Sequence, residues 1–306
     1  MIAYRQSTIR PWLNIRSRMI RAIRRFFEEA GYLEVETPIR IPAPVPEVHI
    51  DTFASESWFL HASPELCMKR LLAAGYSRIF QICRVMRKGE RGARHLPEFT
   101  LLEWYTANED YRHMMAQTEA LIRFAAEALS GEARLKYQGK TIHLDPPWER
   151  LTVAEAFFRH TPVTVEEALS TGRFDEWMGL EIEPNLGWGK PVFLCDYPTA
   201  CGSLARKSPA NPDVVERFEL YIAGIELCNA FSELCDPIEQ RQRFGQEHAC
   251  RSLLGKAPYP SPEPFLEALS HMPPATGNAL GIDRLAMLFA DRASIDDVTA
   301  FTPEEA

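Results

Sequence analysis

The sequence predicts an α+β fold, a mostly antiparallel sheet flanked by helices, and three features carry that prediction. Phe80–Tyr105 holds two apolar, strand-like runs joined by a loop dense in Arg, Lys, Gly and His. Glu216–Glu233 reads as a second hairpin that turns near Ala223-Gly224. Trp12–Ala30 and Tyr111–Ser130 carry apolar residues at helical spacing and stop at Gly31 and Gly131. A chain of 306 residues, 46% hydrophobic, can bury a substantial core. We expect one domain over 1–306, with 131–190 as an insertion packed on it.

Charge and cysteine usage narrow the class. The 34 basic against 42 acidic residues leave a net charge of −8. That supplies no general basic field for nucleic acid, so tRNA is an unlikely partner on this ground, although a local basic loop can still touch it. Seven cysteines, an odd number, include no Cys-x-x-Cys pair. There is no signal peptide and no apolar run near 18 residues. Reduced thiols, a cytoplasmic location and no membrane association are expected.

In chain order, the first helix has its apolar stripe at Ile15, Met19, Ile20, Ile23, Phe26 and Phe27. Its basic side, Arg16, Arg18, Arg21, Arg24 and Arg25, is expected to be solvated. Pro42–Val48 reads as an extended crossing loop. Ser63-Pro64-Glu65 has the makings of a helix start, with Ser as N-cap, Pro at the first position and a stop at Gly75. On the Phe99–Tyr105 strand the period of two puts Phe99, Leu101, Glu103 and Tyr105 on one face, an apolar surface broken by a carboxylate and a phenol. Facing it, Arg87 leads into Lys88, Glu90, Arg91, Arg94 and His95 around Gly89 and Gly92. Such a loop can hold an anion by its guanidinium groups and stack a planar ring on Phe99; the alternative is a solvated basic hairpin.

Within 131–190 two short helices are marked by capping-box spacing, Thr152 with Glu155 and Thr164 with Glu167. Pro191–Tyr197 looks like a buried strand. In the following hairpin Tyr221 faces Glu226, so Glu219 and Glu226 share a face. Adjacent carboxylates repel unless a cation neutralises them, which makes this pair a candidate Mg²⁺ site beside a triphosphate or, alternatively, a solvated surface pair. Simple alternation points Asn229, Phe231 and Glu233 away from Glu226. A shared pocket therefore needs a bulge near Cys228. Asp236-Pro237 opens a helix running to Gly255, and a second follows Ser261-Pro262. Gly281 precedes a last helix, Asp283–Ala290, whose first turn carries Arg284, a combination suited to phosphate.

Arg87, then His95-Leu96-Pro97-Glu98-Phe99-Thr100, then Glu103 and Tyr105, resemble motif 2 of the class II aminoacyl-tRNA synthetases in their lysyl branch. Gly31–Pro38 resembles motif 1 and Ala279–Leu285 motif 3, while Gly224–Leu234 is similar to the lysyl-type amino-acid pocket. The resemblance runs from about residue 12 to 301. It implies a class II catalytic core, ATP and Mg²⁺, and a homodimer built on the first helix and motif 1.

By resemblance Arg87 bridges the substrate carboxylate and the α-phosphate, and His95 and Arg284 hold the distal phosphates. Phe99 stacks on adenine. Lys88, Gly89, Glu90, Leu96, Glu226, Leu227 and Gly281 complete the ATP site, with Glu219 and Glu226 on the metal. Ser63, Pro64 and Glu65 stand at the substrate's amino group. Glu103, Tyr105 and Glu233 receive its side-chain ammonium, with Asn229, Phe231 and Ala279 as wall.

Lysyl-tRNA synthetases carry an anticodon-binding domain before motif 1, and here the first core helix begins near residue 12. The layout resembles the elongation factor P–(R)-β-lysine ligase family, which attaches β-lysine to a lysine side chain of elongation factor P. Ala279, where lysyl-tRNA synthetases usually have glycine, agrees with that. Lys88-Gly89 and Leu96 depart from the motif 2 pattern. A tRNA-charging lysine ligase and a non-catalytic binding module built on a synthetase core are the other readings.

Overall fold

The computed structural model describes residues 4–306. An eight-stranded sheet forms its centre: β1 (Leu33–Glu34), β2 (Arg78–Met86), β3 (Glu98–Ala107), β4 (Glu149–Thr152), β5 (Val192–Pro198), β6 (Val214–Ile222), β7 (Ile225–Ser232) and β8 (Ala275–Gly281). Their spatial order is β1-β2-β3-β8-β7-β6-β5-β4. The six inner strands pair antiparallel. Only the edges, β1 on β2 and β4 on β5, are parallel. The expected α+β class, mostly antiparallel and flanked by helices, is the one observed.

Helix α1, Arg10–Glu29, starts with Pro11 in its first turn, where a missing N–H costs nothing. It buries Met19, Ala22, Ile23 and Phe27, and Phe27 stacks on Phe80 of β2 with ring centroids 4.7 Å apart. Burying such a ring contributes about 2–3 kcal/mol. The basic side of α1 is not uniformly solvated. Arg16 turns inward to Asp283, at 2.8 Å, and donates to Thr100 Oγ1, because Asp283 is buried and needs a cation. Arg18, Arg21, Arg24 and Arg25 stay exposed, as expected.

Helix α2, Glu65–Ala73, begins one residue later than Ser63-Pro64 suggests. Ser63 Oγ accepts from the Glu65 N–H but donates to Glu103, so its hydroxyl joins cap to sheet. Helix α3, Tyr111–Ser130, is capped by Asp110, which accepts from two first-turn N–H groups, and ends at Gly131 with φ +78°. Helices α4, Pro237–Leu253, and α5, Ile282–Phe289, follow. No helix among the described residues is long and apolar enough to cross a membrane.

Segment 131–190 is tied to the sheet at several points. Its hairpin, Arg134–Tyr137 with Lys140–His143, places Leu135, Tyr137 and Ile142 in the main core. Both capping boxes form, Thr152 with Glu155 and Thr164 with Glu167. The helices they open pack Val153, Phe157 and Ala168 into a second cluster that closes on Leu194 and Tyr221 of the sheet.

The β6–β7 turn has Ala223 at φ +55° and Gly224 at φ +68°, the two left-handed residues that match strand twist in a tight hairpin. Tyr221 pairs with Glu226, yet Leu220 pairs with Cys228, so Leu227 is extra. The bulge expected near Cys228 sits there. It turns Glu226, Asn229 and Phe231 to one side of the sheet.

Candidate active site

The cleft lies on that side of the sheet, across β3, β8 and β7. Alternation along β3 sends Phe99, Leu101, Glu103 and Tyr105 into it, while Leu102 and Trp104 go to the core. Register then sets the neighbours: Ala279 of β8 lies between Glu103 and Asn229, and Gly277 between Tyr105 and Phe231. A Cβ on Gly277 would clash with Tyr105 and stand 2.5 Å from Glu233 Oε1. Glycine is therefore required for both groups to reach the floor.

One end of the cleft is acidic and buried. Glu103 and Glu233 are each 1% exposed. Glu103 accepts hydrogen bonds from Ser63 and from Tyr105 Oη, the latter at 3.0 Å. Burial, reinforced by Glu65, pushes its pKa up to about 8 against the lowering by those donors. Glu233 is likewise pushed up to about 8, chiefly by burial. Neither of its oxygens makes a hydrogen bond. Lys69 Nζ forms an ion pair with one of them at 2.5 Å and with Glu65 Oε1 at 2.6 Å. Asn229 and Phe231 form the wall, with the Asn229 side chain fixed by Arg217 Nε.

The other end is cationic and more open. Arg284, in the first turn of α5, donates to the Glu226 carboxylate at 2.9 Å and to the backbone of Glu226 and Arg94. Its Nη2 is 2.6 Å from His95 Nε2. Burial and the adjacent Arg284 guanidinium lower the His95 pKa, so the neutral ring accepts from that guanidinium. Burial works to raise Glu226, but Arg284 outweighs it and holds the carboxyl below its ordinary range. Arg87 stands over the Phe99 ring at 5.2 Å, with Glu90 4.0 Å away and its own buried Nε unpaired. Leu96, Leu227 and Gly281 also line the cleft.

Four residues named from the sequence lie outside the cleft wall. Lys88 donates its backbone N–H to Asp51; Gly89 serves the loop with φ +83°; Pro64 is the N-cap position of α2. Glu219 is enclosed by Arg217 at 2.6 Å, Tyr197 at 2.6 Å and Tyr221 at 2.7 Å. Arg94 of the basic loop also lines the cleft, while Glu47, Arg217 and Gly277 do so without having been anticipated. Gly277 alone left a signal, a glycine within a strand-like run.

Among the described residues no group of three or more His, Cys, Asp or Glu gathers for a metal ion. Glu219 and Glu226 do share a face, but two carboxylates suit Mg²⁺ only where phosphate oxygens and water complete its octahedron. Glu226, at the cleft, fits that arrangement. Glu219 reaches it only by releasing its arginine and tyrosine partners.

Comparison with known proteins extends this picture. A family model described as tRNA synthetases class II (D, K and N) matches residues 1–305. The lysine–tRNA ligase of Carboxydothermus hydrogenoformans is 37% identical over 318 residues, which is 96% of this chain and 65% of that protein. That of Moorella thermoacetica is 40% identical over 311 residues, 94% of this chain and 64% of its own. The Thiobacillus denitrificans enzyme of the same name is 38% identical over 313 residues, 94% and 62%. The chain spans less than two thirds of the length of each of these relatives.

Proposed function

The chain belongs to the class II tRNA synthetases (D, K and N), and we propose that it activates a lysine-type amino acid with ATP. The observation that carries this reading is the buried acidic end, where Glu65, Glu103 and Glu233 gather beside Tyr105 around a single internal cation, Lys69. Buried carboxylates that outnumber their cation are costly, and a substrate ammonium supplies the missing positive charge. An uncharged side chain leaves the penalty in place, so the pocket selects a cation.

In the proposed reaction the substrate carboxylate oxygen attacks the α-phosphorus of ATP. The bond to the β-phosphate oxygen breaks, and the products are aminoacyl-adenylate and pyrophosphate. Arg87 holds carboxylate and α-phosphate together, which supplies proximity and stabilises the charge that builds on the phosphate. Arg284 and neutral His95 bind the distal phosphates. Phe99 offers its ring to adenine once Arg87 moves to the phosphate. Glu65 takes the substrate's amino group, and Glu103, Tyr105 and Glu233 its side-chain ammonium. Mg²⁺ bound with the triphosphate neutralises its oxygens, and Glu226 is the residue to hold it.

The relatives' name supports tRNA as the acceptor, contrary to the expectation from net charge. A lysine side chain of elongation factor P is the second acceptor reading. Two observations favour it: the Ala279 methyl stands in the cleft wall between Glu103 and Asn229, reshaping the amino-acid end, and the chain carries a net charge of −8. A homodimer through the edge strand β1 is also proposed, supported by the exposed Leu33 and Ile39.

ATP–pyrophosphate exchange with L-lysine and (R)-β-lysine, followed by transfer of labelled product to tRNA and to elongation factor P, tests all of this. Label on tRNA supports the first acceptor, label on the protein alone the second. Absence of exchange with either isomer would overturn activation itself and return the binding module.

A further inference from the structure

Lys69 lies behind the acidic wall rather than in the cleft. It is 1% exposed, and its ammonium stands over the rings of Phe231 and Phe265 at 5.1 and 6.0 Å. It holds two carboxylates at once, Glu65 at 2.6 Å and Glu233 at 2.5 Å. Burial alone would strip its proton, but Glu233 and then Glu65 outweigh burial and raise its pKa. The remaining titratable groups facing this cluster are Glu103 and Tyr105 from β3, the Cys235 thiol and, next to Glu65, Glu47, which burial and then Glu65 push up to about 7. The Cys235 thiol, pushed up to about 11 chiefly by burial, stays neutral.

The charge count of this end then has a definite value. Once ionised, Glu65, Glu103 and Glu233 bring three negative charges against the one positive charge of Lys69, a deficit of two, while Glu47 is set against Arg87 and Arg217. We propose that Lys69 is a positioning residue for substrate choice: from behind the wall it orients Glu65 and Glu233 and sets the deficit that a diamino acid with both amines protonated fills. This inference rests on reading the cleft as an amino-acid site. A wall with no internal cation would hold three adjacent carboxylates, and like charges at that range push one another to take up protons. Glu233 would then hold its proton to a still higher pH than it does beside Lys69, and a neutral carboxyl does not select an ammonium. Lys69 therefore acts through the two glutamates without touching the substrate.

The test is ATP–pyrophosphate exchange with L-lysine and (R)-β-lysine from pH 6.5 to 9, on the unmodified chain, Lys69→Met and Lys69→Arg. Lys69→Met should raise the amino-acid KM about tenfold near pH 7.5 and displace the pH dependence of KM upward by about one unit, with the KM for ATP unchanged within about twofold. Lys69→Arg keeps the charge and should retain most of the affinity. An unaltered KM and pH profile in Lys69→Met overturns the proposal. So does a Lys69→Arg variant that is folded by circular dichroism yet as impaired as the methionine variant, since charge would then be irrelevant. If Lys69→Met does not fold, the arginine variant alone decides. Failure of the unmodified chain to exchange with either isomer would instead overturn the reading of the cleft.

Discussion

At the exposed end of the cleft the cations already have partners. Arg284 rests on Glu226, on His95 and on the backbone of Arg94, and Arg94 itself donates to the Gly224 carbonyl. At the buried end Glu233 and Glu65 share one cation, Lys69, and Glu103 is satisfied only by a serine and a tyrosine. The difference separates two tasks. Exchanging one hydrogen-bonded partner for a phosphate is nearly balanced, so the exposed end can bind and release a polyphosphate readily. A cluster of buried carboxylates sharing one cation is far from balance, so on the proposed reading the other end discriminates strongly among side chains.

The most direct way to break this comparison is Glu233→Gln, which keeps volume and removes charge. The amino-acid KM in pyrophosphate exchange should rise about a thousandfold, corresponding to about 4 kcal/mol, while the KM for ATP changes little. An unchanged amino-acid KM would remove Glu233 from the pocket. The converse variant, Arg284→Ala, should lower kcat about a hundredfold with little change in the KM for lysine; a loss confined to lysine binding would show the two ends to be one unit. Gly277→Ala forces Tyr105 and Glu233 to yield to a methyl. About 2 kcal/mol of overpacking predicts roughly a thirtyfold weaker amino-acid KM, with ATP binding as the internal control.

Proton exchange sharpens the contrast further. Glu103 and Glu233 are each raised from 4.5 to about 8, chiefly by burial. The folded chain thus keeps protons that the unfolded chain has given up. The stability this gives is fully present below about pH 4.5 and is lost as pH rises through about 8, by about 1.4 kcal/mol per unit per group. Thermal melting of the free chain should therefore fall between pH 5 and 8. Lysine, which on the proposed reading requires the ionised carboxylates, should bind about fivefold tighter at pH 8 than at pH 7 for each proton released. Calorimetry in buffers of different ionisation heat reads that release directly, and its absence would mean that the pocket is charged beforehand. The smallest effect is Ala279→Gly, expected to change the ratio of KM values for the two lysine isomers about fivefold, the worth of one methyl.

Much of this was legible in the sequence, and the reasons are local. Period-two alternation along Phe99–Tyr105 put four side chains in the cleft without further information. The Thr152 and Thr164 capping boxes and the glycine stops at Gly31 and Gly131 marked helix ends because they depend on neighbours in the chain. Lys69 was invisible for the opposite reason. Glu65 and Lys69 are four apart on a helix, a spacing that usually means a surface ion pair; only the packing of Phe231 and Phe265 buries it. Arg16 was misread as solvated because its partner, Asp283, is 267 residues away. Glu219 was placed on the correct face, yet which of Tyr197, Arg217 or a metal would satisfy it depends on cross-strand contacts.

Leu227 fixes the parity of the strand that joins the two ends. Upstream of it, the even-numbered Glu226 looks into the cleft; downstream, the odd-numbered Asn229, Phe231 and Glu233 do. Drawing that one residue into the ladder, so that every position of the strand paired in turn, would put the downstream half out of step, presenting a thiol, a methyl and a hydroxyl from Cys228, Ala230 and Ser232 where an amide, a ring and a carboxylate now stand. The nucleotide end would keep its glutamate while the amino-acid end went blank. A single out-of-phase residue thus lets one strand address two chemically opposite ligands.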